Sequence, residues 1–96
     1  MLVLISYDVS TTTSMGRKRL RQVAKTCEDY GQRVQNSVFE CEVDPGLLLK
    51  IKDILVKLID TKTDSLRIYN LGNKGQERIE HIGVKQSFDI NGPLIV

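Results

Sequence analysis

"GQRVQNSVFECEVDPG", residues 31–46, decides the fold. In its second half Phe39, Cys41 and Val43 alternate with Val38, Glu40 and Glu42, the period of a strand with one buried face and one wet face. Asn36-Ser37 divides the stretch into two short strands joined by a tight turn or bulge. Asp44 then offers a capping oxygen and Pro45 a φ already set for a first helical turn, so a helix begins there. Two adjacent strands leading into a helix argue against a simple strand-helix alternation and for a largely antiparallel sheet.

Upstream, residues 2–8 ("LVLISYD") read as a mostly buried strand, and "STTTS" supplies a polar loop with several possible N-caps, Ser14 a fair choice among them. Leu20, Val23, Ala24, Cys27 and Tyr30 then fall on one face of a helix that ends at Gly31. Downstream, Leu47, Leu48, Ile51, Ile54, Leu55, Leu58 and Ile59 form the apolar stripe of the second helix, which "DTKTD" breaks. "SLRIYNLG" and "RIEHIG" read as strands around the turn "NKGQE", and "GPLIV" is an apolar C-terminal tail. The expected fold is α+β, a ferredoxin-like βαββαβ sandwich with an extra C-terminal strand, in one domain over residues 1–96. Helices cover one face of such a sheet; a second copy packed sheet to sheet is the simplest cover for the other.

Composition narrows the function. A chain of 96 residues buries only about 60–65% of its unfolded surface, so oligomerisation is a natural supplement. With 41% hydrophobic and 27% charged residues it is globular rather than disordered. Five aromatic residues and no Trp count against a platform that stacks many bases. The net charge of +2 hides an asymmetry: five bases and no acid lie between Arg17 and Lys25. Arg17, Lys18, Arg21 and Lys25 fall on the polar side of the first helix, a face suited to phosphate. Cys27 and Cys41 lack zinc or disulfide spacing, and with no basic leader ahead of the short N-terminal apolar run a reducing cytoplasm and no membrane are expected.

Asp8 ends the first strand. By local rules it is a turn residue capping its own backbone; as a functional residue it is one acid, whereas magnesium is bound through one or two carboxylates, waters and substrate phosphate. Tyr7 alternates with Asp8 and should point to the opposite face. Ser6 and Ser37 lack an accompanying base and are not nucleophiles, and His81, the only histidine, reads as a satisfied structural residue.

"LVLISYDV", "GRKRLRQVAK", "GQRVQNSVFECEVD" and "DSLRIYNLG", in this order over residues 1 to about 83, resemble the CRISPR-associated protein two family. The resemblance implies a homodimer whose sheets pack face to face, with the segment from about residue 79 to 96 exchanged between subunits. It implies a role in spacer acquisition beside the CRISPR integrase subunit, holding duplex DNA, or an endonuclease acting on single-stranded RNA or duplex DNA. For the nuclease it implies Mg2+, replaceable by Mn2+, at Asp8, with Tyr7 linked to activity. It also implies nucleic-acid contacts from the basic set Arg17, Lys18, Arg19, Arg21, Lys25 and Arg33, and an activity-linked Phe39, for which a core position is the plainer reading. Two functions stay open: a hydrolase, and a non-catalytic dimeric adaptor bridging integrase subunits. Outside the family, a ferredoxin-like regulatory or toxin-type ribonuclease domain fits the same elements.

Overall fold

In the computed structural model, which describes residues 1–71 and 78–84, the chain runs β1 (Leu2–Asp8), α1 (Ser14–Tyr30), β2 (Gln32–Gln35), β3 (Val38–Glu42), α2 (Pro45–Leu58), β4 (Ser65–Asn70) and β5 (Arg78–Gly83). The strands form one sheet in the order β2-β3-β1-β4-β5, and every neighbouring pair is antiparallel. The first four strands have the order of a split βαβ sandwich, and β5 extends it at the β4 edge. The expected α+β fold with an added strand is present. β5 pairs with β4 of its own chain from Ser65↔Gly83 to Asn70↔Arg78. The "NKGQE" turn, the "GPLIV" tail and most of the segment expected to be exchanged between subunits lie outside the described residues.

Both helices start where a side-chain oxygen can receive a free amide. Asp44 caps α2 by accepting from the Leu47 N–H at 2.7 Å, with Pro45 in the first turn as expected. At α1 the cap is Thr13, not Ser14: Thr13 is extended and its hydroxyl accepts from the Gly16 N–H at 3.0 Å. Adjacent hydroxyl residues are equivalent by propensity; the path of the preceding loop chose between them. α1 ends as its Gly31 N–H reaches the Cys27 carbonyl at 2.9 Å, and the chain passes in extended conformation into β2.

The two faces of the sheet differ sharply. Val3, Ile5 and Tyr7 of β1, Phe39 and Cys41 of β3, and Leu66 and Ile68 of β4 pack under the helices against Val23, Cys27, Ile51 and Leu55. On the opposite face the register lines up Glu40, Leu4, Tyr69 and Ile79 in one row and Val38, Ser6, Arg67 and His81 in the next. His81 is satisfied there, accepting at Nδ1 from Arg67 Nε at 3.0 Å and reaching the Val84 carbonyl at 2.8 Å through Nε2. Ile79 remains 60% exposed on this open face.

Gly83 ends β5 at φ +102°, and a Cβ there would sit 2.1 Å from the Asp64 carbonyl oxygen. Replacing it by Ala meets both the left-handed backbone penalty and that collision. Gly83→Ala is expected to cost about 1–3 kcal/mol, read as a fall in the urea midpoint with an unchanged slope.

Candidate functional site

Asp8 stands exposed at the end of β1, on the open face, directly opposite Ser65 of β4. Tyr7 points the other way, as pleating demands. It is buried, its ring stacked on Phe39 with centroids 6.1 Å apart, and burial, with the neighbouring Cys27, pushes its phenol pKa up. Tyr7 and Asp8 therefore lie on opposite faces of β1, as their alternation predicts. Phe39 is fully buried, and its expected core position is the observed one.

What fixes the loop just beyond Asp8 is a residue that the sequence shows only as part of a helix-breaking "DTKTD". Asp64 is the only charged residue buried among the described residues, with no exposed surface. Its Oδ1 accepts from the Ser10 N–H at 3.0 Å and the Thr63 hydroxyl at 3.0 Å. Its Oδ2 accepts from Arg19 Nε at 2.8 Å and the Asp60 N–H at 2.9 Å. Burial alone would raise this carboxyl's pKa. The Arg19 guanidinium, the Asp60 and Ser10 amides and the Thr63 hydroxyl outweigh it and hold the pKa below the usual carboxylate value. The loop after Asp8 is thereby tied to α1 and to the α2–β4 turn, only two residues from Asp8. On its other side the loop lies hard against α1: a Cβ on Gly16 would sit 2.0 Å from the Ser10 carbonyl oxygen. In sequence, Asp64 is one of five polar residues in a turn; nothing local marks it as the one that turns inward.

The basic set divides. Arg17, Lys18 and Arg21 are exposed along α1, Arg17 with a hydrogen bond to the Thr11 carbonyl at 3.3 Å. Arg19 is turned inward on Asp64, its side chain 18% exposed, and that bond raises its pKa. A guanidinium bound to a buried carboxylate is a structural group, so its inclusion among the phosphate-facing bases is corrected. Lys25 pairs with Asp29 at 2.7 Å, one helical turn on, so the basic face has an acidic partner at its C-terminal end. Arg33 lies over the Phe39 ring, 5.1 Å from its centroid, and pairs with Glu28 at 3.1 Å. Lys25 and Arg33 are exposed but paired with acids, so the exposed bases without a carboxylate partner among the described residues are Arg17, Lys18 and Arg21.

Neither cysteine is a nucleophile: burial pushes Cys27 up to about 12 and raises Cys41 as well, so both remain thiols. No group of three His, Cys, Asp or Glu residues that could hold a metal ion occurs among the described residues. A single carboxylate does not make a complete magnesium site.

The sequence matches the family described as CRISPR associated protein Cas2 over residues 1–79. The chain belongs to the Cas2 family. It is 60% identical over 95 residues to a CRISPR-associated endonuclease Cas2 of Halalkalibacterium halodurans, covering 99% of each chain. It is 55% identical over 96 residues to a CRISPR-associated endoribonuclease Cas2 of Chlorobaculum tepidum, covering all of both. Among solved structures, Streptococcus pyogenes Cas2 at pH 6.5 superposes with a TM-score of 0.70 at 64% identity, over 75% of this chain and 87% of that one. A hypothetical protein from Thermus thermophilus gives 0.65 at 32% identity, over 80% and 93%. Both structures share the sandwich described above.

Asp64 gives this fold an acid-sensitive element. Its pKa is lower folded than unfolded, so its stabilisation is complete above the ordinary carboxylate value near 3.8 and is lost as pH falls through the depressed folded value. Asp64→Asn should cost about 2–4 kcal/mol at neutral pH. It should also flatten the decline in stability as pH falls below about 4 toward the depressed folded value, measured by urea unfolding at each pH.

Proposed function

We propose that this Cas2-family protein is a metal-dependent endonuclease of CRISPR adaptive immunity, working in the cytoplasm as a homodimer in which two copies of Asp8 share one magnesium site. The observation that carries this reading is the position of Asp8: exposed at a strand end on the open sheet face, beside a loop fixed by Asp64. The identity of 60% with a relative named an endonuclease, and 55% with relatives named endoribonucleases, supports the reaction class. Mg2+, or Mn2+ in its place, would supply a Lewis acid for a phosphodiester and a bound water of lowered pKa. Among the described residues the chain's own contribution would be the Asp8 carboxylate, held at the end of β1. Arg17, Lys18 and Arg21 would place the phosphate backbone, doubled across the two-fold axis. No helix among the described residues is long and apolar enough to cross a membrane, which fits action on nucleic acid in solution.

A second reading is favoured by the scarcity of carboxylates: a dimeric adaptor that bridges the CRISPR integrase subunit and holds duplex DNA during spacer acquisition, without hydrolysis. There the open sheet face makes the dimer and the α1 bases hold the DNA.

Asp8→Asn distinguishes the two. In the nuclease it lowers cleavage of RNA or duplex DNA at least about 100-fold and leaves binding intact; equal cleavage by the variant removes the site. In the adaptor it leaves spacer acquisition untouched in cells. Independently, Arg17→Ala and Lys18→Ala should each reduce the slope of log K against log salt for duplex DNA by about 0.9 for every phosphate left without its cation, measured by fluorescence anisotropy. An unchanged slope removes these residues from the interface.

A further inference from the structure

The strand register puts a second oxygen donor opposite Asp8. β1 and β4 run antiparallel with Asp8 in register with Ser65, and Ser65 in turn is in register with Gly83 of β5. The pleat sends Asp8 to the open face, so its partners in that row lie on the same face. Read across the sheet, the row is a carboxylate, a hydroxyl and no side chain. Directly opposite residues on one face have Cβ atoms about 4.5–5.5 Å apart, which sets the hydroxyl and the carboxylate on either side of one water molecule. Backbone pairing fixes this placement, so it holds whatever covers the face, a second copy included. Ser65 stands between Asp64 and Leu66, both without exposed surface, and has no freedom to turn toward the helices.

The chemistry of the row is all oxygen. Ser65, like Ser6 and Ser37, has no base to make it a nucleophile, but an oxygen donor needs none. The nearest arginine along β4, Arg67, gives its Nε to His81 Nδ1 at 3.0 Å, toward β5 and so on the side of β4 away from β1. A carboxylate with a neutral hydroxyl suits a hard cation such as magnesium rather than a metal that prefers nitrogen or sulfur. Two copies of Asp8, each binding through one oxygen, leave roughly four of the octahedron's six positions to water and phosphate. Groups that hydrogen-bond such waters set the affinity of a metal site along with its direct ligands.

We propose that Ser65 is a positioning residue of the cation site at Asp8: its hydroxyl hydrogen-bonds a water carried by the bound magnesium, and the two-fold axis repeats the contact from the second copy. The assignment rests on the nuclease reading and supplies it with a donor that one carboxylate per chain lacks.

The test uses the full-length protein with Mn2+ alone as the probe. Binding is read from the electron paramagnetic resonance of the free ion, without substrate, for the wild type, Ser65→Ala, Ser65→Thr and Asp8→Asn. Ser65→Ala is expected to weaken Mn2+ binding about tenfold or more, and Ser65→Thr, which keeps the hydroxyl and suits a strand, to restore it. In cleavage assays titrated with Mg2+, Ser65→Ala is expected to need about tenfold more ion for its half-maximal rate and to approach the wild-type rate at saturation. A purely structural role would instead lower the urea midpoint or the saturated rate and leave Mn2+ affinity alone. Wild-type Mn2+ binding by Ser65→Ala, with binding lost in Asp8→Asn, overturns the role of Ser65 and leaves the nuclease reading standing. Equal weakening by Ala and Thr overturns it as well. Binding unchanged in Asp8→Asn removes the Asp8 site itself, and Ser65 with it. Binding weakened by Ala and restored by Thr, in a protein that never cleaves, supports the cation site and removes the hydrolysis reading alone.

Discussion

One buried carboxylate holds together the end of the molecule where Asp8 stands. Asp64 has no contact with solvent, so its charge must be balanced inside the protein. It is balanced by Arg19 from α1, by amides from the loop after β1 and from the α2–β4 turn, and by the Thr63 hydroxyl. Its backbone takes part as well: the Asp64 carbonyl accepts from the Val84 N–H at 2.9 Å, and the Asp64 N–H reaches the Asp60 carbonyl at 2.7 Å. Four separate pieces of chain thus converge on one residue. Burying an ion pair is a costly way to gain stability compared with apolar packing, but its directional bonds fix positions that apolar contacts would leave loose. The strand end carrying Asp8, the start of α1 with Arg17 and Lys18, and the exit of β5 at Gly83 all take their places from it.

The pleat of β1 does the second piece of work. A period of two sends Val3, Ile5 and Tyr7 to the helices and Leu4, Ser6 and Asp8 to the open face. The core therefore never competes with the site for the same surface. Tyr7, stacked on Phe39, anchors the strand from behind while Asp8 is presented in front. The Val34 bulge is a local exception to the same rule, and it adds Gln35 to the open face.

Most of the fold was legible because its signals are local and repeat at fixed periods. Alternation in "VFECEV" gave β3 and its buried face. The stripe from Leu47 to Ile59 gave α2, and Asp44-Pro45 fixed its start. Asn36-Ser37 marked the turn between β2 and β3. Misreadings arose where equivalent groups compete or partners are distant. Thr13 and Ser14 are equal as caps by chemistry, and the loop's path selected Thr13. Lys25 belongs to an acid-free run, yet Asp29, four residues on, faces it across one helical turn. Arg19 looked like one more base in a run, because its partner lies 45 residues away.

The sequence by itself therefore determined the elements, their order, the two faces of each strand and the position of Asp8 at a strand end, since each follows from spacing within a few residues. Tertiary structure alone decided which acids and bases meet. Asp64 and Asp60 stand in the same short polar turn, yet one is fully buried and the other is not. Local chemistry does not separate them; the side of the turn that faces Arg19 and the Ser10 amide does. The same holds for the basic helix, where packing against the α2–β4 turn withdraws Arg19 and leaves Arg17, Lys18 and Arg21 to solvent. Charge pairing depends on distances across the fold, and those exist only once the chain has closed on itself.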